Sequence, residues 1–242
     1  MVFECHTESK LRKILMKYSI KNSRSQVVFV TKSLKTAFSD LAFKAGQDMV
    51  LDSGYRAEFF TNKTTKKNKQ VVFVGNLLRF GKSRDIEFIL DCFSNEKLKD
   101  FTLKIVGGPE KYVETLRSRI EEMSIDNIQL LGRLDQQKTS EILMQSTIGI
   151  LINSKENRNS LLHTSPLKYF EYLAANLNIV AVDFHSHKNL PIRDNITYFK
   201  YGDKENFIES ILNAESLPSS ERAQVENFSY ENRVKKLVRF AR

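Results

Sequence analysis

Two segments of this 242-residue chain combine residue types that bind anions. In the first, a β-branched run ends at Gly75, and a loop with a second glycine leads to Lys82 before the next helical pattern. Backbone N–H groups at a helix start, with an ammonium beside them, form a site for phosphate. The spacing is one residue too long for the P-loop of nucleoside triphosphatases, so an ordinary strand–helix loop with a surface lysine is the alternative.

The second segment is a helix start around Ser165 and Pro166, residue types that favour the N-cap and the first helical position. Lys168 falls in the first turn, where the helix dipole disfavours a cation, and this mismatch indicates an anion nearby. Glu171 lies at the edge of the apolar stripe of the same helix, where its carboxylate is placed to accept hydrogen bonds from sugar hydroxyls. The alternative is a glutamate that only faces solvent.

The histidines indicate weaker candidates. Asp183, His185 and His187 have the spacing of metal ligands, but no further cluster of ligating residues accompanies them, so we expect no metal site. His6 is a candidate general base, although a lone histidine is more often structural. The sequence shows no serine–histidine–aspartate, HExxH or paired zinc-cysteine signature.

The elements that position these residues follow a regular pattern after residue 70. Short strands that are apolar on both faces alternate with helices, which predicts a parallel sheet covered on both sides. The predicted strands span 71–75, 101–106, 128–131, 147–152, 179–183 and 196–199. The predicted helices span 83–98, 109–123, 137–145, 165–176, 205–214 and 219–242. Such doubly wound α/β domains bind ligands at the carboxyl ends of their strands, the edge that contains Gly75, Gly107, Gly108 and Gly132.

The first 70 residues have a different character. We predict a strand over 27–30, a helix over 32–45 and a strand over 49–51, with the remainder of residues 1–60 irregular. This segment contains 14 Lys and Arg against 6 Asp and Glu and so carries +8 of the chain's net +9. A basic segment favours phosphate-rich partners, namely nucleotides, nucleic acid or anionic lipid headgroups, and a solvated basic face is the alternative.

Composition excludes several classes of protein. With 17 Phe and 8 Tyr the chain has enough apolar surface for a core, so it is not disordered. Its apolar runs fall short of the ~20 residues that a membrane helix needs, and its start does not resemble a signal peptide. Two cysteines fit a reducing compartment, so we expect a cytoplasmic protein.

Together these segments resemble the nucleotide-sugar-binding domain of family 4 glycosyltransferases (glycosyl transferases group 1), which have the GT-B fold. The resemblance is carried by VVFVGNLLRFGK, LKIVGGPE, IQLLGRL, IGILINS and SPLKYFEYLAANLNIVAVD, in this order. It implies a partial N-terminal α/β domain over 1–60, a linker over 61–70 and a complete Rossmann-like domain over 71–215. The closing FSYENRVKKLV resembles a C-terminal helix, within 216–242, that crosses back to the N-terminal part. Most of the family's acceptor domain precedes the position of Met1.

The resemblance also implies roles for single residues. The implied catalytic residues are His6, Lys82 and Glu171, of which Glu171 matches a glutamate that hydrogen-bonds the donor ribose. Two positions depart from the family, since Asn76 stands where many members have arginine and His163 where a second glutamate is common. The implied donor-binding residues are Gly75, Asn76, Lys82, Gly107, Gly132, Arg133, His163, Ser165, Leu167, Lys168 and Glu171.

The implied reaction is retaining transfer of a sugar from a nucleotide-diphosphate sugar to a glycan or a lipid-linked acceptor. No cofactor or metal is required, because lysines and a helix N-terminus stabilise the leaving diphosphate. The basic N-terminal side would rest on an anionic membrane surface. The alternative is a non-catalytic nucleotide-binding remnant, or one half of a split enzyme that needs a partner chain. An incomplete N-terminal sheet predicts self-association or a complementary chain, and the near-neutral domain after residue 70 argues against nucleic acid.

Overall fold

A computed structural model of the chain describes residues 1–22, 24–61, 69–79, 81–217 and 222–242. Most of the predicted linker, residues 62–68, lies outside these ranges. The described residues form a three-stranded sheet, a six-stranded sheet and a small hairpin, with helices between the strands of both sheets. We call the part before residue 62 the N-terminal unit and residues 69–217 the main unit.

The N-terminal unit is a parallel sheet in which the second strand lies between the first and the third. Its elements are β1 (Val2–Cys5), α1 (Lys10–Ser19), β2 (Gln26–Phe29), α2 (Lys32–Ala37) and β3 (Asp48–Val50). The core of this unit includes Phe29, Leu34 and Phe38.

Two expectations for the N-terminal unit are wrong. Residues 2–5 and 10–19 were expected to be irregular, but they form β1 and α1. Each of these elements buries only one residue, Cys5 in β1 and Met16 in α1, so neither contains a continuous run of buried apolar residues. The helix expected over 32–45 ends at Ala37, because the following turns fold Leu41 and Phe43 back onto the core of the unit.

The main unit contains the six-stranded parallel sheet with helices on both faces. Its strands are β4 (Gln70–Val74), β5 (Leu78–Arg79), β6 (Lys82–Ser83), β7 (Thr102–Val106), β8 (Ile128–Gly132), β9 (Ile148–Leu151), β10 (Asn178–Val182) and β11 (Ile196–Phe199). Strands β5 and β6 pair with each other in a separate antiparallel hairpin. Its helices are α3 (Ile86–Phe93), α4 (Glu110–Glu122), α5 (Gln136–Gln145), α6 (Arg158–Leu162), α7 (Leu167–Ala174), α8 (His185–Lys188) and α9 (Lys204–Glu215).

The order of the main sheet, β11-β10-β9-β4-β7-β8, contains a reversal. The chain runs outward from β4 to one edge, returns to β9 beside β4 and then runs outward to the other edge. Along β4, Val71 and Phe73 join one core cluster while Val72 and Val74 join the cluster on the opposite face. Crevices at such a reversal, at the carboxyl ends of the strands, are where open α/β sheets bind ligands.

The end of the chain returns to the N-terminal unit. The helix expected over 219–242 is broken into α10 (Arg222–Glu226) and α11 (Tyr230–Ala241), because the ring of Phe228 turns in toward Phe170, with centroids 5.3 Å apart, and Ser229 caps a new helix. From α11, Arg233 Nη2 lies 2.5 Å from Glu4 Oε1 in the N-terminal unit. No helix in the described segments is long and apolar enough to cross a bilayer.

Candidate functional site

A cavity of about 340 Å³ opens at the reversal point of the main sheet. It lies at the carboxyl ends of β4 and β9 and beside the start of α7. Its lining consists of Phe73, Val74, Gly75, Asn76, Arg84, Ile150, Leu151, Ile152, Asn153, Thr164, Ser165, Pro166, Leu167 and Lys168. Two cations line this cavity, and no carboxylate is among its described lining residues, so its chemistry favours an anion.

Arg84 is the first of these cations, and it is not among the site residues predicted from the sequence. It follows β6 and precedes α3, and its guanidinium is held by groups at the end of β9. Nη2 donates to the Ile152 carbonyl at 3.1 Å and to Asn153 Oδ1 at 2.5 Å, while Nη1 lies 3.4 Å from the Asn76 carbonyl. These contacts fix the position of a permanent positive charge at the wall of the cavity.

Behind Arg84 lies a buried hydrogen-bond chain. His187 Nδ1 donates to the Val182 carbonyl at 2.8 Å, so its Nε2 accepts from Asn153 Nδ2 at 3.3 Å, and Asn153 in turn accepts from Arg84. Burial lowers the pKa of His187 to about 4, and the nearby Arg84 charge acts in the same direction. The imidazole is therefore neutral near pH 7 and serves to orient Asn153.

Asp183, His185 and His187, which have the spacing of metal ligands, lie in three different environments. His187 is buried in the hydrogen-bond chain, whereas His185 is exposed at the start of α8 and Asp183 pairs with Lys188 at 3.3 Å. Within the described ranges, no three His, Cys, Asp or Glu side chains are grouped so that they could hold a metal ion.

The start of α7 contributes backbone donors to the cavity. Its N-cap position is Pro166, and no side chain in the described part of the chain caps it. Ser165 was expected to be the cap, but its Oγ instead accepts the backbone N–H of Ser53 from the N-terminal unit at 3.1 Å. The first N–H groups of α7 are thus left at the cavity edge, beside Leu167 and Lys168.

Lys168 is the second cation of the cavity, and Glu171 positions it. Lys168 Nζ lies 2.6 Å from Glu171 Oε2, and Glu171 Oε1 accepts from Gln136 Nε2 at 3.4 Å. Only 12% of the Glu171 side chain is exposed, so this carboxylate is not a solvated surface group. The pair neutralises a cation that the helix dipole alone would disfavour at this position.

The glycines at the same edge allow the strand ends to approach closely. A Cβ on Gly107 would lie 1.9 Å from the Gly75 carbonyl oxygen, and a Cβ on Gly108 would lie 2.8 Å from Arg133 Nε. The Gly107 N–H donates to the Gly132 carbonyl at 2.8 Å. Of these residues only Gly75 lines the cavity, and the others form the adjoining wall toward β7 and β8.

All three expected catalytic residues lie outside the cavity lining, although Glu171 contacts Lys168, which is part of it. Lys82 does not open the next helix, since α3 begins at Ile86, and its ammonium pairs with Glu156 at 2.7 Å between two exposed side chains. His6 follows β1 in the N-terminal unit, where Nε2 lies 3.2 Å from Glu4 Oε1. The structure therefore does not bring His6 and Lys82 together with Glu171.

His163 lies at the contact between the two units. Its side chain is 8% exposed, and Nε2 lies 3.4 Å from Oε2 of Glu8 in the N-terminal unit. Burial lowers the pKa of His163, although Glu8 opposes this shift. The His163 carbonyl accepts from Thr31 Oγ1 at 3.2 Å, and the preceding carbonyl accepts from Ser33 Oγ at 2.8 Å. The loop before α7 is thus fixed by the N-terminal unit.

A signal for Arg84 is present in the sequence. Ile86, Ile89, Leu90 and Phe93 have the spacing of one helical face and are all buried. This pattern fixes the start of α3 near residue 86, so Arg84 and not Lys82 is the last cation before the helix. No comparable pattern marks Asn153, whose role depends on the spatial neighbours Arg84 and His187.

Solved structures show the same fold at low identity. A glycosyltransferase from Rickettsia africae ESF-5 matches 99% of this chain and 69% of its own, with a TM-score of 0.68 and 14% identity. Anabaena HepE in complex with UDP and glucose matches 98% of this chain and 70% of its own, with a TM-score of 0.64 and 15% identity. A GtfA/B complex matches 93% of this chain and 46% of its own, with a TM-score of 0.65 and 18% identity.

Sequence families give a consistent result. No curated protein matches the chain. The family model described as glycosyl transferases group 1 matches residues 68–215, which is more than half of the chain and covers nearly all of the main unit. With its parallel sheets and GT-B-type α/β fold, the chain belongs to the glycosyl transferases group 1.

Proposed function

We propose that this protein transfers a sugar from a nucleotide-diphosphate sugar to a glycan or a lipid-linked acceptor, with retention at the anomeric carbon. The observation that carries the proposal is the cavity at the reversal point, where Arg84, Lys168 and the start of α7 converge and where the described lining residues include no carboxylate. The Glu171 carboxylate that pairs with Lys168 lies outside this lining. Such a set of donors suits a diphosphate and would not suit a metal ion or a cationic ligand. The family membership and the fold support the same class of reaction.

The proposed role of the cavity is to stabilise the leaving group. When the bond between the anomeric carbon and the phosphate oxygen breaks, its electron pair stays on the diphosphate, which gains negative charge. Arg84 and Lys168 are held in place by Asn153 and Glu171 before any substrate binds, so they need little reorganisation as this charge develops.

The proton of the acceptor hydroxyl needs a base, and the described lining of the cavity offers no carboxylate for this role. The departing phosphate oxygen is the nearest group that gains basicity as the bond breaks. We propose that it receives the proton while the acceptor oxygen bonds the anomeric carbon on the same face, which gives retention.

Glu171 is the proposed ribose contact. It lies one turn beyond the start of α7, is mostly buried and presents its oxygens to Lys168 and Gln136. A bound ribose would take part of the hydrogen-bonding capacity that Gln136 now uses, because the contact with Gln136 is long, at 3.4 Å.

The test is calorimetric titration of UDP, GDP, CDP and ADP into the wild type, Arg84→Met and Lys82→Met, which remove one cation each. We expect one diphosphate to bind, Arg84→Met to weaken it by roughly 10-fold to 100-fold, and Lys82→Met to leave it nearly unchanged. Incubation with the sugar nucleotides of the base so identified then measures transfer. Equal losses in both variants would contradict the assignment of the cavity, and absence of binding by the wild type would contradict the donor site.

A second candidate is a nucleotide-binding subunit that acts only with a partner chain. The observation that favours it is the edge of the N-terminal sheet, since β1 pairs with β2 alone among the described strands. It predicts diphosphate binding without transfer by the isolated chain, and transfer once the partner is added.

A further inference from the structure

Helix α1 presents an apolar surface that the fold does not use. Leu11, Ile14, Leu15 and Tyr18, which we call the outer stripe, are 65%, 54%, 60% and 66% exposed. Their spacing places them on one side of the helix. The one buried residue of α1 is Met16, and it contacts the core of the N-terminal unit.

The direction of the outer stripe limits what can cover it. At about 100° per residue, the centre of the stripe lies about 150° around the helix from Met16 and therefore points away from the sheet. A helix packed beside α1 in the same layer would contact its flanks, about 90° from Met16, and would leave most of the stripe uncovered. A surface that lies outside the whole N-terminal unit fits this direction.

The charged residues of α1 itself have one sign. Four of the ten residues of α1 are basic and none is acidic. Lys13 is engaged by Asp40 and Glu8, whereas Lys10 and Lys17 make no ion pair with any described residue and flank one side of the stripe. Lys21, just after the helix, places Nζ 5.2 Å from the centroid of the Tyr18 ring.

We propose that α1 attaches the protein to an anionic lipid bilayer, with the outer stripe in the headgroup–acyl boundary and the lysines at the lipid phosphates. A helix with an apolar face, a basic flank and low overall hydropathy is the kind that lies in a membrane interface. The acidic partners that these lysines lack among the described residues are supplied by the lipid headgroups. The inference deepens the proposed function, since a lipid-linked acceptor lies in such a surface, but its test measures membrane partition and not transfer.

The test is co-sedimentation with vesicles made of phosphatidylcholine and phosphatidylglycerol in equal parts, and with vesicles of phosphatidylcholine alone. We expect the wild type to bind the anionic vesicles and to bind the neutral vesicles at least about tenfold more weakly. The variant Leu11→Ser, Ile14→Ser, Leu15→Ser should lose about tenfold or more in partition. The variant Lys10→Glu, Lys17→Glu should partition into the anionic vesicles more weakly, by at least about fivefold for each residue changed, at low salt.

Matched controls separate this surface from general effects. Val234→Ser with Val238→Ser removes apolar side chains that are similarly exposed on α11, and Lys97→Glu with Lys99→Glu repeats the charge reversal on the main unit. Both controls should bind vesicles like the wild type. Calorimetric binding of the diphosphate by every variant shows that the main unit is folded and keeps the failure of this inference distinct from failure of the donor site.

Two results would overturn the proposal. One is equal vesicle binding by the wild type and the outer-stripe variant. The other is a wild type that does not bind vesicles and is an oligomer by analytical ultracentrifugation, while the outer-stripe variant is a monomer. That result would assign the stripe to contact with a second copy of the chain.

Discussion

Helices α1 and α7 are both amphipathic, yet they use their apolar residues in opposite ways. In α7, Tyr169, Phe170, Tyr172 and Leu173 are buried against the main sheet. In α1, most of the apolar side chains point to solvent, and Met16 alone is buried. Apolar spacing therefore identifies a helix in each region, but it does not say whether the apolar face meets the protein's own sheet or an outside surface.

The cations of the two regions differ in the same sense. Arg84 and Lys168 are held by Asn153 and Glu171 at defined distances, whereas Lys10 and Lys17 have no acidic partner in the described ranges. A cation that is fixed in place suits one bound group in one orientation. Cations on a free face suit a surface whose anions are spread out and mobile.

The largest effect expected from this contrast is on stability. Phe170 is fully buried in α7, so Phe170→Ala should lower the free energy of unfolding by about 3–5 kcal/mol. Leu15→Ala on α1 should change it by less than about 0.5 kcal/mol, because a side chain that is 60% exposed loses little burial. Urea unfolding of both variants measures this difference. A cost for Leu15→Ala that approached the cost for Phe170→Ala would show that the outer stripe is covered within the folded protein.

The next effect concerns pH and depends on the buried His187. Its pKa is about 4 in the folded protein and about 6.5 when unfolded, so between these values the unfolded state binds more protons. The free energy of unfolding should therefore fall as the pH falls from about 6.5 to 4, by about 3 kcal/mol from this group. At pH 7 and above, this contribution should be fully present.

The measurement compares the pH dependence of urea unfolding for the wild type and His187→Gln. The glutamine variant should show a shallower decline in this pH range, whatever its stability at pH 7. Equal slopes would mean that His187 is accessible to protons in the folded protein, and the neutral link between Val182 and Asn153 would then be incorrect.

The sequence is a better guide to the main unit than to the N-terminal unit, and burial is one reason. Each strand predicted after residue 70 is present within about two residues, because strands buried on both faces are continuous apolar runs. In the N-terminal unit, β1 and α1 were not predicted. Strand β1 is short and buries a single residue, so its sequence carries a weak signal. Helix α1 does have helical apolar spacing at Leu11, Ile14, Leu15 and Tyr18, but the prediction of an irregular segment overlooked this pattern.

In the candidate site, too, some features could be predicted from the sequence and others could not. The edge of the sheet and the start of α7 were predictable from glycines and helix signals, which act through local backbone geometry. Lys82 lies in the β5–β6 hairpin outside the described cavity lining, whereas Arg84 is part of that lining; the role predicted for Lys82 stays a prediction. The link from His187 through Asn153 to Arg84 joins residues far apart in sequence, so it becomes visible only once the chain is folded.

A smaller effect is expected on ligand affinity from Asn153→Ala. This change removes the acceptor for Arg84 Nη2 and leaves the guanidinium with its backbone contacts, so its position becomes less defined. We expect the affinity for the preferred nucleoside diphosphate to fall by roughly 5-fold to 30-fold, measured by calorimetry. Ser154→Ala, one residue further on, is the control and should retain the wild-type affinity. Similar losses in the two variants would indicate a general disturbance of the loop after β9.

The smallest effect concerns a contact between the N-terminal unit and the main unit. Ser165 Oγ accepts the backbone N–H of Ser53, so Ser165→Ala leaves a part-buried donor of the N-terminal unit without this partner. We expect the free energy of unfolding to fall by about 0.5–1.5 kcal/mol, compared with a negligible change for Ser216→Ala, whose hydroxyl is exposed. Since α7 starts two residues after Ser165, the same variant should also weaken diphosphate binding slightly if the N-terminal unit holds this helix start in place. A loss of stability with unchanged affinity would show instead that the main sheet alone positions α7, and that the contact between Ser53 and Ser165 stabilises the fold without affecting the cavity.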